Sequence, residues 1–352
     1  MSSSRALGAV GLPTTRTASA RTPLATPTTP SHNRGDLTMA GRVGVLINAF
    51  NAAEAVERIR SAEAMGIPNA WMTTGGTAPD ALTVFAGAAT VTDRIVMGSC
   101  IVPTWLRHPV VLAQQTIAIE SLAPGRFRLG IGPSHEPAMR SFGVDWRKPL
   151  TELKEYLIAL RALLHEGAVS FQGEHVTIEA RLAQPVETPL LASALRPGSF
   201  EACGELADGA ISWQCPAGYL VEQALPALRR GAEAAGRAAP PLIAHTPIAI
   251  TEDREAVKAG AARQISNYSN IPFYRAMYEQ AGVPQEMGQV GDELLDALVV
   301  WGNEDQVVAR MKQLLADGMG EVLAMPIVVD GDRDGSFDRA YRAVARAAAE
   351  TA

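Results

Sequence analysis

From residue 42 onward the apolar positions change spacing in a regular way. Short runs that alternate every second residue give way to longer segments in which apolar residues recur every three or four, and the exchange repeats along the chain. The pattern predicts strands over 43–48, 70–73, 95–102, 127–131, 189–194, 210–213, 242–250 and 322–327. Helices are predicted over 52–65, 79–90, 109–122, 148–165, 197–206 and 217–235. The first carries Val56, Ile59 and Met65 among its apolar positions and stops at Gly66. Residues 170–178 read as an inserted hairpin turning at Gln172-Gly173, and a long, mostly helical excursion through Tyr268, Tyr274, Trp301 and Met311 separates the last two strands. Eight strands alternating with helices match an α/β fold, a (β/α)8 TIM barrel with insertions, as a single domain over 40–352. A doubly wound open sheet is the alternative. It usually presents a glycine fingerprint after its first strand, where this chain has Asn48-Ala49-Phe50-Asn51.

Residues 1–39 break the pattern. They are rich in Ser, Thr, Pro, Ala and Arg with almost no large apolar groups, so burial does not repay the entropy of ordering them, and a disordered N-terminal extension is expected. Arg-rich, acid-poor composition also resembles a transit peptide, and a start at Met39, just before the first strand, is the competing reading. The net charge of −6 argues against a nucleic-acid partner, which would leave a basic stripe. No apolar run approaches the roughly 18 residues that span a membrane. Cys100, Cys203 and Cys215 are far apart without a Cys-x-x-Cys pair, and the 6 histidines include no His-Glu-x-x-His, so no disulfide framework and no metal site is expected. These features suit a cytoplasmic protein acting on small molecules.

The chemistry is sought first at Gly125-Arg126-Phe127-Arg128-Leu129-Gly130-Ile131-Gly132-Pro133-Ser134-His135, a short buried strand that opens onto a glycine-bearing loop. Gly-Ile-Gly alone lacks full phosphate-binding spacing, and a strand-to-loop turn needs glycine on steric grounds too. In a barrel the site lies at the carboxyl ends of the strands, which gathers Asn48, Phe50, Thr73, Thr74, Ser99 to Thr104, Gly132 to His135, Ala194 to Ser199 and Trp213 into one ring. The ring holds no paired carboxylates and no Ser-His-Asp set. A bound cofactor that carries the hard chemistry explains it. Arg196-Pro197-Gly198-Ser199 opens a helix whose amino end favours an anion, although Pro and Gly also suit an ordinary helix start.

The chain resembles the luciferase-like monooxygenase superfamily (bacterial luciferase-like fold), in its branch of coenzyme F420-dependent oxidoreductases. The resemblance rests on Arg94-Ile95-Val96-Met97-Gly98-Ser99, Arg107-His108-Pro109-Val110-Val111-Leu112-Ala113-Gln114-Gln115, the segment Gly125 to His135, and Ala202-Cys203-Gly204-Glu205-Leu206-Ala207-Asp208-Gly209, and extends over about residues 42–330. It implies a deazaflavin across the barrel mouth near Asn48, Thr73, Ser99, Cys100, Ile101, Val102 and Thr104, with either a non-prolyl cis peptide near Ser99-Cys100-Ile101 or an ordinary bulge there. It implies a phosphate held by Gly132, Pro133 and Ser134 and by Arg196, Pro197, Gly198 and Ser199. Arg140, Arg147 and Lys148 either receive an acidic cofactor tail or form a solvated face. His135 stands where some relatives place a catalytic carboxylate and is the candidate proton donor or acceptor, or else only hydrogen-bonds the coenzyme or caps the next segment; Glu136 is its rival. Sugar-phosphate dehydrogenases of the branch carry an acidic residue and a histidine after the second strand, where this chain has Thr73-Thr74-Gly75-Gly76. That points to an uncharged substrate near Trp105, Trp213, Tyr268 and Tyr274, aromatics that equally suit a core. The implied reaction is hydride transfer at the deazaflavin C5, in a homodimer. An FMN-dependent monooxygenase and a non-catalytic flavin-binding barrel are the alternatives.

Overall fold

A computed structural model describes residues 42–352. The expected extension over 1–39, with its competing readings as a transit segment or a start at Met39, lies outside the described residues. The barrel strands are β1 (Val43–Leu46), β2 (Asn69–Met72), β3 (Val96–Ser99), β4 (Phe127–Gly132), β5 (Leu190–Ala194), β6 (Gly209–Ser212), β7 (Leu242–Ile250) and β8 (Glu321–Pro326). Each pairs in parallel with the next. β8 returns to β1 with Val43 opposite Val322 and Val45 opposite Ala324, so the sheet closes and the expected (β/α)8 barrel is formed. Closure removes the exposed edges that an open sheet would have to protect.

The outer helices are α1 (Ala52–Ala64), α2 (Ala81–Ala89), α3 (Pro109–Leu122), α4 (Pro149–Arg161), α5 (Pro197–Leu206), α6 (Leu225–Ala234), α7 (Glu304–Ala316) and α8 (Arg333–Ala349). Their starts are written in the sequence. Asn51, Asp80, Asn303 and Asp332 each accept a backbone N–H three residues on, a cap worth about 1 kcal/mol. The helix predicted over 217–235 forms with an insertion: Leu220–Ala224 widens to a π-turn just before α6. Pro226 has no N–H to give to the preceding turn, and the wider turn accommodates that loss. The helix predicted over 148–165 likewise ends in a π-turn, Ala162–Glu166.

Two expectations are corrected. The strand predicted over 95–102 is broken: β3 stops at Ser99, a cis peptide joins Cys100 to Ile101, and Val102–Pro103 resumes pairing with β4 at Ile131 and Gly132. At the break the backbone bonds to β2 instead, Cys100 N donating to Met72 O and Thr74 N to Ile101 O. The hairpin, Ala168–Gln172 with Thr177–Arg181, does not turn at Gln172-Gly173, because Gln172 pairs with Thr177. The Glu155 carboxylate sets the longer connection by accepting the amides of Glu174, His175 and Val176 at 2.8, 2.7 and 3.0 Å. The excursion after β7 is helical, as expected, at Arg254–Ile265, Pro272–Gln280 and Asp292–Leu298, but also contains a short strand, Val300–Gly302, paired with β7.

Candidate active site

The excursion after β7 reaches the carboxyl ends of β4 and β6. Its 3-10 turn Ser266–Asn270 carries Tyr268 and the following helix carries Tyr274, both against the ring of His135, at centroid distances of 5.7 and 5.5 Å. Trp213, the residue after β6, donates its indole N–H to the Tyr268 hydroxyl at 2.7 Å and stacks on His245 of β7 at 3.8 Å. His135, Tyr268, Trp213 and His245 thus run in sequence from the β4 loop to β7, with Tyr274 beside the first two. Burial lowers the pKa of His135 and pulls that of His245 down to about 3, so both imidazoles are neutral near pH 7.

His245 accepts the Gln214 amide N–H on Nδ1, which leaves the hydrogen on Nε2. That Nε2, and both side-chain heteroatoms of Gln214, are buried without a hydrogen-bond partner among the described residues. Buried polar groups are rarely left so, and a ligand's polar group is one way to satisfy them. Neither residue was foreseen from the sequence, although a histidine in the middle of the apolar run 242–250 was a visible signal.

Across the mouth, the Cys100-Ile101 cis peptide and the segment through Thr104 border β4. A cavity of about 210 Å³ lies there, lined by Thr74, Gly75, Gly76, Arg107, Met139 and Phe142 among others. At Gly132 a side chain is excluded, since a Cβ would stand 2.1 Å from the Ser193 hydroxyl oxygen. Ser134 follows with φ of 66°, so the loop turns sharply above β4. At the amino end of α5, Ser199 Oγ accepts the amides of Leu195 and Arg196 at 3.0 and 3.1 Å. Arg196 itself is exposed and forms no ion pair among the described residues. A lone guanidinium at the start of a ten-residue helix suits a phosphate.

The remaining expected site residues are placed differently. Ser99 is fully buried and its hydroxyl both donates to Gly130 O and accepts Gly130 N–H at 2.9 Å, tying β3 to β4 below the mouth. Cys100 and Val102 are buried; Asn48 and Thr73 are exposed at their strand ends, with Asn48 O accepting from Arg333. Glu136 forms an ion pair with Arg140 at 2.7 Å. Arg147 pairs with Asp145, and Lys148 with Glu174. Trp105 does not join the other aromatics: it packs on Trp146 and His175, beside the hairpin. Among the described residues no three His, Cys, Asp or Glu side chains group as a metal site, and no helix is long and apolar enough to cross a membrane.

Comparison with known proteins agrees with this barrel. The 5,10-methylenetetrahydromethanopterin reductase of Methanolobus tindarius is 26% identical over 285 residues, covering 75% of this chain and 87% of that protein. An F420-dependent glucose-6-phosphate dehydrogenase of Nakamurella multipartita is 31% identical over 241 residues, covering 64% of this chain and 68% of that protein. The structure of the coenzyme F420-dependent tetrahydromethanopterin reductase of Methanopyrus kandleri superposes with a TM-score of 0.73 at 21% identity, over 88% of this chain and 99% of that one. Residues 27–321 match the family described as luciferase-like monooxygenase, and the chain belongs to that family.

Proposed function

We propose that the protein is a coenzyme F420-dependent oxidoreductase that moves a hydride between the deazaflavin and a small, uncharged organic substrate. The observation that carries the reading is the division of the mouth. One edge is receptive to anions, with Arg196 at a helix start forming no ion pair among the described residues; the other, around His135, Trp213, His245 and Tyr268, is made of neutral rings. The relatives named above, two of them F420-dependent by name, support the choice of cofactor.

When bound, the coenzyme supplies hydride exchange at C5. In this reading Arg196 and the Gly198 amide at the start of α5 would hold its phosphate, and the segment from Val102 to Thr104 would border its ring. The aromatic side chains exclude water from the substrate. His135, neutral near pH 7, gives or takes the proton at the substrate oxygen or nitrogen. Thr73-Thr74-Gly75-Gly76 offers no charge to a sugar phosphate.

The test is a titration of the purified protein with F420 and separately with FMN, followed by tryptophan quenching. Micromolar or tighter F420 binding with FMN much weaker supports the reading. A preference for FMN overturns it in favour of oxygen chemistry, and binding without turnover of any alcohol, carbonyl or imine favours a storage barrel. In the same assay Arg196→Ala weakens F420 binding about tenfold, the lower range for losing a hydrogen bond to a charged group at an exposed site. An unchanged affinity would place the phosphate elsewhere.

A further inference from the structure

The mouth has a buried carboxyl group that the proposed chemistry does not use. Glu152, in the first turn of α4, is 3% exposed, and its Oε2 lies 2.8 Å from Thr104 Oγ1. The same hydroxyl lies 3.4 Å from the carbonyl oxygen of Gly132. Thr104 ends the segment beyond the cis peptide, and Gly132 begins the Pro133-Ser134 loop, so this one hydroxyl sits between the two backbone segments that border the mouth.

We propose that Glu152 is a proton-dependent positioning residue, which joins those two segments through Thr104 when protonated and thereby makes affinity for an anionic cofactor depend on pH. The identity of the cofactor rests on the reading given above. The step is a matter of counting hydrogens. Thr104 has one hydroxyl hydrogen, and an ionised carboxylate can only accept. With Glu152 ionised, that hydrogen goes to Glu152 and the Gly132 carbonyl receives none. With Glu152 protonated, its own O–H donates to Thr104 Oγ1, and the threonine hydrogen turns to Gly132.

Among the described residues Glu152 forms no ion pair. Glu155, from the same helix, adds negative charge while its carboxylate faces the hairpin amides of 174–176. Tyr156 donates its hydroxyl to the Arg107 carbonyl, and the Arg107 guanidinium is turned to Asp80. Burial, opposed by the Thr104 hydrogen bond and aided by Glu155, raises the Glu152 pKa to about 7, so both protonation states are populated near neutrality. An anion entering beside the ionised form meets a buried like charge as well as a loosened loop. Both effects act in the same direction.

The experiment measures F420 affinity by tryptophan quenching from about pH 6 to about pH 8.5 for the wild type and for Glu152→Gln, together with the infrared carboxylic-acid band of the cofactor-free proteins. Titration of the coenzyme itself is common to both proteins and cancels in their ratio. The wild type is expected to lose about fivefold more affinity than Glu152→Gln across this range, a coupling of ordinary size. Its carboxylic-acid band is expected to fade with an inflection near pH 7 and to be missing in Glu152→Gln. Thr104→Val, which removes the hydrogen bond favouring the ionised form, moves that inflection to higher pH. Superimposable affinity profiles, or the same band in both proteins, overturn the proposal. Should Glu152→Gln not fold, an inflection unmoved by Thr104→Val overturns it equally. Failure to bind F420 at any pH overturns the cofactor reading alone, and the infrared band still decides whether Glu152 carries the proton.

Discussion

Replacing Glu321 with alanine destabilises the barrel by about 3–5 kcal/mol, the range for removing one partner of a buried ion pair. Glu321 is fully buried at the start of β8, inside the closed sheet. Its carboxylate accepts the Trp71 indole N–H at 2.6 Å and pairs with Arg128 at 2.7 Å, while the Arg128 guanidinium lies 4.4 Å above the Trp71 ring. The three side chains fill one layer of the interior. The layer exists because the wall beside it is made of glycine: a Cβ at Gly44 would stand 2.8 Å from the Glu321 carboxylate, and one at Gly98 would stand 2.4 Å from the Trp71 ring. Alanine at 321 takes the Glu321 carboxylate away from a buried charge and a buried N–H, against a total stability of about 5–15 kcal/mol for an ordinary domain. Urea denaturation of the wild type, Glu321→Ala and Glu321→Gln checks this. Glutamine keeps an acceptor for Trp71 and costs less than alanine. A loss below about 1 kcal/mol for Glu321→Ala would show that the pair contributes little, as exposed pairs do.

That layer also shows where reading the sequence stops. Alternation of apolar residues marked β4, and it marked β2 over 70–73, yet it left unexplained a charge at Arg128 inside a buried strand. Its partner lies 193 residues away, and only barrel closure brings the two together. Local periodicity reports which face of a strand is buried, not what stands opposite. Glu152 was missed for the same reason. On an amphipathic helix it reads as one more surface charge, and Thr104, its partner, is 48 residues earlier.

The motifs behaved differently according to how local their physics is. Gly132 could be read as a site of close approach, and it is one. The Asp208 of the Ala202 to Gly209 motif has a structural use: it pairs with Arg161 and accepts the Leu190 amide, fastening β5 to α4. The break after Ser99 was anticipated only through the resemblance, since the run of apolar and small residues from Ile95 to Val102 carries no turn signal at that point. Tyr268 and Tyr274 were legible as large aromatics in a long excursion, but their approach to His135 depends on how that excursion folds back, which no spacing within it records.

Replacing His135 with glutamine lowers kcat by about 10²- to 10⁴-fold, the usual contribution of a positioned general acid or base, while F420 affinity stays near that of the wild type. The argument is geometric first. His135 stands at the end of the β4 loop with its ring edge-on to Tyr268 and Tyr274, at the neutral side of the mouth. Its rival Glu136 is already engaged by Arg140 in an exposed pair, so Glu136→Gln is expected to leave kcat within a few-fold. The pH profile separates a proton-transfer role from a merely structural one. Burial holds the His135 pKa below 6.5, so wild-type kcat/KM with His135 as base falls off only on the acid side of that value, and Glu152 does not produce such a limb because its pKa is raised, not lowered. Removing the imidazole abolishes that acid limb along with the rate. The same burial makes folding less stable in acid, since an unfolded histidine takes up a proton near pH 6.5 that neither His135 nor His245 accepts in the fold. Rates are therefore compared at pH values where thermal melting shows both proteins folded. A loss under tenfold with the acid limb intact would mean that His135, whose side chain makes no cap hydrogen bond to the helix at Glu136–Ser141, only packs against Tyr268 and Tyr274, and that the proton travels by another group at the mouth.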